Sequence, residues 1–237
     1  MPRSLLLASA AALLLVAPAA AITGGSPDGP AHPAVGLLLA DHGSGPEPEC
    51  TGSLVSPTVF VTAAHCVSDL ASTLFWVSFD ARFVVGVSQL RAGTAHADPA
   101  YGTSKTDSHD LAVVVLDQAF TDTVPLGLPR ADSLNKAALK SQPFTNVGYG
   151  FADRTFVFDG LRRTSVSSFT TIDATDVKLS ESSGGVCFGD SGGPRLIGST
   201  VAAVTTSGNK NCTGQSVSYR LDTPSARGFL SQFVAVP

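Results

Sequence analysis

A serine stands between an acidic residue and two glycines in the run Gly189-Asp190-Ser191-Gly192-Gly193-Pro194. Such a run suits neither a helix interior nor a central strand, so it reads as a tight turn presenting one hydroxyl. The same residue types also make an ordinary surface loop. Two upstream segments argue against that plainer reading: Thr62-Ala63-Ala64-His65-Cys66 and His109-Asp110-Leu111-Ala112-Val113. A serine hydroxyl is a weak nucleophile until a base takes its proton. Histidine is the side chain that ordinarily titrates near neutrality, so it can accept that proton and later return it. A carboxylate can hold the imidazole in one tautomer and stabilise the imidazolium. Alone, His65 could be a buried structural histidine and Asp110 could simply end a strand. In the order His65, Asp110, Ser191 they supply a base, an orienting carboxylate and a nucleophile for acyl transfer.

The elements that must position these residues are short. The chain has 237 residues, 43% of them hydrophobic and 14% charged, which is enough to bury one large core or two small ones. Apolar runs at 35–40, 52–56, 59–62, 83–87 and 111–116, with Val77 and Phe79 between, are punctuated by glycine and proline. They predict an antiparallel barrel or sandwich in the first half. Runs at 144–149, 162–169, 201–206 and 217–221 predict a second set of strands. The segment 121–131, with Pro125, Gly127 and Pro129, is the expected connector between residues 22–120 and 132–237. One helix is signalled near the end. Thr223 can cap it, Pro224 suits its first position, and Phe229, Leu230, Phe233 and Val234 form an apolar stripe.

Residues 1–21 have the pattern of a signal peptide, with Arg3 before an apolar stretch and Ala19-Ala20-Ala21 at the end. The apolar part falls short of the roughly 20 residues a spanning helix needs. The expectation is a secreted, extracellular protein with no membrane attachment after cleavage. The four cysteines can pair in three ways, and an oxidising destination favours disulfides over metal ligation. A net charge of -4 without a stripe of Lys or Arg gives no footprint for nucleic acid. No residue cluster has metal-ligand spacing, and neither a metal nor a cofactor is expected.

Taken together, the chain resembles the trypsin/chymotrypsin-like serine endopeptidases, whose motifs AAHC, D-[IL]-A-[LV] and GDSGGP all occur here in order. Ile22-Thr23-Gly24-Gly25 resembles the mature amino terminus of that family, so the likeness runs from Ile22 onward. The resemblance implies an all-β fold of two packed six-stranded antiparallel β-barrels with a C-terminal helix. It implies catalysis by His65, Asp110 and Ser191, with the amides of Gly189 and Ser191 as the oxyanion hole. It selects the disulfides Cys50–Cys66 and Cys187–Cys212, each expected to stabilise by about 2–4 kcal/mol. It also implies that Asp190 pairs with the α-amino group of Ile22. Ala21, not Arg or Lys, precedes Ile22, so signal cleavage itself is expected to expose that group.

Carried over in the same way, Gly185 forms the base of the substrate pocket, and Val186, Thr206-Ser207-Gly208 and Ser216 form its walls. A cationic side chain would be desolvated there without a partner, so the resemblance implies cleavage after Phe, Tyr, Leu or Met. The expected partners are protein or peptide substrates, and the expected state is a monomer. Two other readings differ in what they require. A catalytically silent protease-fold binding protein would usually lack a member of the triad. An α/β-hydrolase would place its histidine last, after a G-x-S-x-G serine within alternating βα units.

Overall fold

The computed structural model describes residues 22–68, 74–152, 155, 157–181 and 184–237. The expected signal segment 1–21 lies outside the described residues. The fold is all-β, with two six-stranded antiparallel barrels packed side by side and a C-terminal helix.

The first barrel closes in the order β2 (Val35–Asp41), β3 (Pro46–Ser56), β4 (Val59–Thr62), β7 (Ala112–Leu116), β6 (Arg91–Ala97) and β5 (Phe75–Ser78). Successive side chains of a strand point to opposite faces, and β4 and β7 bury both. Phe60 and Val114 fill the barrel with Leu38, Leu54 and Val77. Val59, Val61 and Val113 point the other way, into a layer shared with Val147, Leu196, Val201 and Val204 of the second barrel. Continuous apolar runs in the sequence are thus the mark of strands trapped between two cores. The run 83–87 is the exception. It is not a strand: residues 85–87 turn, Gly86 has φ +74°, and Val85 is 76% exposed.

The second barrel closes through β8 (Pro143–Gly148), β9 (Arg163–Ile172), β10 (Asp176–Glu181), β13 (Gly214–Arg220), β12 (Thr200–Ser207) and β11 (Pro194–Ile197), with β11 and β9 both pairing with β8. The short strand β1 (Ser26–Pro27) adds to the start of β9. Part of this barrel is apolar, with Phe144, Val177, Leu179 and Ala203 buried together. Part is not. Arg195 lies fully buried and donates to Glu181 Oε1 at 2.8 Å, to Asn146 Oδ1 at 2.6 Å, to Ser216 Oγ at 2.7 Å and to Ser218 Oγ at 2.9 Å.

The segment 121–131 crosses between the barrels. The Leu126 amide donates to Leu54 O at 2.9 Å, and the Gly127 amide donates to Ser199 O at 2.9 Å. A second clasp is Arg162, which reaches Asp28 at 2.8 Å, Val35 O at 3.0 Å and Phe79 O at 3.1 Å. Helix α2 (Pro224–Leu230) begins as the sequence suggests. Pro224 occupies its first turn, the Thr223 side chain accepts from the Ala226 amide, and Ala226, Phe229 and Leu230 pack on the inter-barrel layer. A one-turn helix α1 (Lys136–Leu139) is capped by Asn135. No helix among the described residues is long and apolar enough to cross a membrane.

Candidate active site

His65 lies on a single 3₁₀ turn, Ala64–Cys66, that follows β4 directly. The turn is held at both ends. Cys66 is joined to Cys50 of β3 by a disulfide, and the Asp110 carboxylate binds the backbone amide of His65 through Oδ1 at 2.9 Å. The other carboxylate oxygen, Oδ2, lies 2.8 Å from His65 Nδ1. Asp110 is buried, whereas the His65 side chain is 28% exposed. A carboxylate bound to Nδ1 in this way fixes the ring's orientation and tautomer, which makes Nε2 the nitrogen that can take up a proton.

Ser191 is presented by a turn that only small residues can form. Gly189 has φ +92° and Gly192 has φ +74°, the left-handed region that favours glycine. A Cβ on Gly192 would lie 2.0 Å from Thr62 Oγ1, and one on Gly189 would lie 2.9 Å from Gly150 Cα. Within the turn the Asp190 amide donates to Cys187 O, and the Gly192 amide donates to Thr205 O. Among the described residues, the amides of Gly189 and Ser191 donate to no protein acceptor. They are the pair that an oxyanion hole would require.

The turn rests on β3 through Thr51, which composition and motifs did not single out. The Thr51 amide donates to Ser191 O at 2.9 Å, its hydroxyl donates to Gly189 O at 2.8 Å, and that hydroxyl accepts from the Tyr149 amide at 3.1 Å. One side chain thus ties the serine turn of the second barrel to the strand that carries Cys50. Nothing in the sequence marks a threonine for this role, because its partners lie about a hundred positions away.

Two cavities meet at the pair His65 and Ser191. One, of 340 Å³, is bordered by Val186, Cys187, Phe188 and residues 205–209. Four of the expected pocket residues, Val186, Thr206, Ser207 and Gly208, therefore border it. Gly185 and Ser216 do not. They lie behind the wall, where Ser216 Oγ donates to Glu181 Oε1 at 2.6 Å, and a Cβ on Gly185 would meet Glu181 Oε2 at 2.4 Å. Glu181, four positions before Gly185 in the sequence, thus stands against the expected base of the pocket. The second cavity, of 590 Å³, runs along β3 and past Tyr149, Phe151 and Phe158.

Asp190 is buried, and its carboxylate accepts from the Gly150 amide at 2.8 Å and from the Cys187 amide at 2.8 Å. Burial pushes its pKa up to about 7, although those two hydrogen bonds favour the ionised form. In the intact chain the nitrogen of Ile22 is a peptide nitrogen. Ile22 is fully buried, and Thr23 packs so closely on Gly184 that a Cβ there would lie 1.7 Å from Thr23 O. Cys187 and Cys212 form the second disulfide, beside the serine turn. Cys50, His65 and Cys66 are close enough to hold a metal, but both sulfurs are in a disulfide and offer no thiolate. His109, which precedes β7 and has φ +50°, turns to Asp98 at 3.1 Å and to Asp107 at 3.6 Å.

Residues 22–227 match the family model described as Trypsin. The chain belongs to the trypsin family. A chymotrypsin of Phaedon cochleariae is 29% identical over 185 residues, covering 69% of this chain and 64% of that protein. The chain thus spans a little under two thirds of that relative's length. Trypsin delta of Drosophila melanogaster is 24% identical over 180 residues, covering 67% of this chain and 68% of that protein. A solved structure described as "Structure of GrC" superposes with a TM-score of 0.73 at 20% identity, covering 89% of this chain and 98% of that one. That likeness establishes the fold. Against this trypsin-family background, the buried Arg195–Glu181 pair is carried by residues outside the motifs on which the resemblance rests.

Proposed function

We propose that this chain is a secreted serine endopeptidase that hydrolyses peptide bonds through an acyl-enzyme on Ser191. The observation that carries the reading is the Asp110–His65 hydrogen bond of 2.8 Å, on an imidazole that borders the same two cavities as Ser191. In this mechanism His65 accepts the Ser191 proton as Oγ attacks the carbonyl carbon. The tetrahedral oxyanion binds the amides of Gly189 and Ser191, and His65 then gives the proton to the departing amine. Water, activated by the same imidazole, releases the acyl group.

The smaller cavity is the proposed site for the residue on the acyl side of the bond. Among the described residues, no acidic or basic side chain borders it except His65. Glu181, behind Gly185, is held by Arg195 at 2.8 Å and by Ser216 at 2.6 Å, so it offers no free charge to a cationic substrate. Apolar or aromatic side chains are therefore favoured over Arg and Lys. Loss of residues 1–21 would free the Ile22 amine, and the buried carboxylate of Asp190 is the partner proposed for it. The amino terminus of the secreted protein should then read Ile22-Thr23-Gly24-Gly25.

A mixed peptide pool tests the reading. Cleavage should follow Phe, Tyr, Leu or Met and should vanish in Ser191→Ala. Faster cleavage after Arg than after Phe would overturn the pocket assignment. No cleavage by folded, correctly processed protein would favour the silent binding protein instead.

A further inference from the structure

The larger of the two cavities leads from the same catalytic pair into a different part of the molecule. It measures 590 Å³ against 340 Å³, and both are bordered by His65, Phe188 and Ser191. A peptide lying across Ser191 has an acyl half and a leaving half. The proposed function gives the acyl half to the smaller cavity, so the larger one is left for the departing half.

Its lining is largely apolar. Leu37, Pro48, Phe151, Phe158 and Phe188 supply the surface. Leu37 and the Tyr149 ring belong to one buried cluster with Leu39 and Phe83, against which Phe158 packs, so the floor is fixed by a core of its own, separate from the one that fills the first barrel. The Tyr149 hydroxyl donates to Asp80 O at 2.8 Å, which leaves the cavity only the face of that ring. Among the described residues, the charged side chains on the rim besides His65 are Glu47 and Glu49, both carboxylates, and Glu49 lies 3.1 Å from His42 Nε2. Such a surface gains most from covering a large apolar side chain and repels an acidic one.

We propose that this compartment selects a large apolar or aromatic residue immediately after the scissile bond, and that much of the enzyme's specificity lies on the leaving-group side. The proposal rests on the peptidase reading and adds a second consequence. An amine seated in the compartment competes with water for the acyl-enzyme. Its nitrogen attacks the ester carbon and the bond to Ser191 Oγ breaks. The amine's proton passes through His65 to Ser191 Oγ, giving an amide and free enzyme. Apolar amino-acid amides are therefore efficient acyl acceptors.

The experiment uses the processed protein and an activated ester of an apolar acyl amino acid. Phe-amide, Gly-amide and Asp-amide are each added, and the ratio of aminolysis to hydrolysis is read by chromatography. Phe-amide should exceed Gly-amide by about tenfold, the effect of placing an apolar side chain in such a site, and Asp-amide should be the poorest. Gly-amide equal to Phe-amide, or Asp-amide above it, with ester turnover intact, overturns the compartment while leaving the peptidase reading standing. Absence of any ester turnover overturns both. In Phe158→Ala and, separately, Phe151→Ala, the Phe-to-Gly preference should shrink several-fold. Full preference in either folded variant would show that the compartment does not select.

Discussion

At the scale of single residues, the account depends on one imidazole being held in one tautomer. Asp110 binds His65 at both Nδ1 and the backbone amide, so it sets the ring's orientation as well as its proton. Asp110→Asn keeps the shape but presents an amide where a carboxylate accepted, and kcat should fall about 10⁴-fold. Steady-state rates on an ester and a peptide measure this. Thr51 makes a subtler contribution. Thr51→Val removes hydroxyl bonds to Gly189 O and from the Tyr149 amide while keeping the backbone bond to Ser191 O. Each bond contributes about 1 kcal/mol, and their loss lets the oxyanion turn shift. The expected result is a kcat lower by about tenfold or more with KM little changed. A change confined to KM would show that Thr51 serves substrate binding instead.

At the scale of elements, the second barrel holds a buried charged cluster. Arg195 on β11 and Glu181 on β10 are fully or nearly fully buried, and the side chains of Asn146, Ser167, Ser216 and Ser218 share their hydrogen bonds. Arg195→Met strands the Glu181 carboxylate and should lower unfolding free energy by about 3–5 kcal/mol. Adding Glu181→Met should recover much of it, and denaturant midpoints of the three proteins measure both effects. This cluster also marks where the sequence stopped being legible. Strand β10, Asp-Val-Lys-Leu-Ser-Glu, carries polar residues on alternate positions, β6, Arg-Ala-Gly-Thr-Ala-His-Ala, is interrupted by Arg91, Thr94 and His96, and neither shows an apolar run. The doubly buried strands β4 and β7 were plain for the opposite reason. The run 83–87 misled because its valines are exposed on a turn. Motif spacing gave the residues of the site, whereas Thr51, Glu181 and the cavity beside β3 depend on contacts between distant segments.

At the scale of the whole molecule, the two barrels share one candidate site, so whatever joins them supports the proposed catalysis. Arg162 and Asp28 are buried, and burial of the Asp28 carboxylate is more than offset by bonds from His32 and Arg162, which leave its pKa lowered. A carboxylate whose folded pKa lies below its unfolded value adds stability at neutral pH that is lost as pH falls through the folded pKa. Arg162→Met should therefore lower the melting temperature at pH 7, with a loss of about 3–5 kcal/mol, and narrow the difference from wild type in strong acid. Asp190 has the opposite sign in the intact chain. Its pKa is raised from 3.8 to about 7, so the folded form keeps a proton that the unfolded form releases between those values. Stability of a chain extended before Ile22 should fall as pH rises from about 4 to 7. A chain beginning at Ile22 should lack that fall if its amine pairs with Asp190. Melting curves of both forms in the Ser191→Ala background decide it.

The central claim is that Ser191 is an activated nucleophile, made so by His65 and Asp110. A fluorophosphonate probe followed by peptide mass spectrometry tests it most directly. The account predicts one adduct per chain, on Ser191, formed at least about 10³-fold more slowly in His65→Ala and not formed in Ser191→Ala. Absence of labelling on folded protein that begins at Ile22, or labelling of another serine, would contradict it.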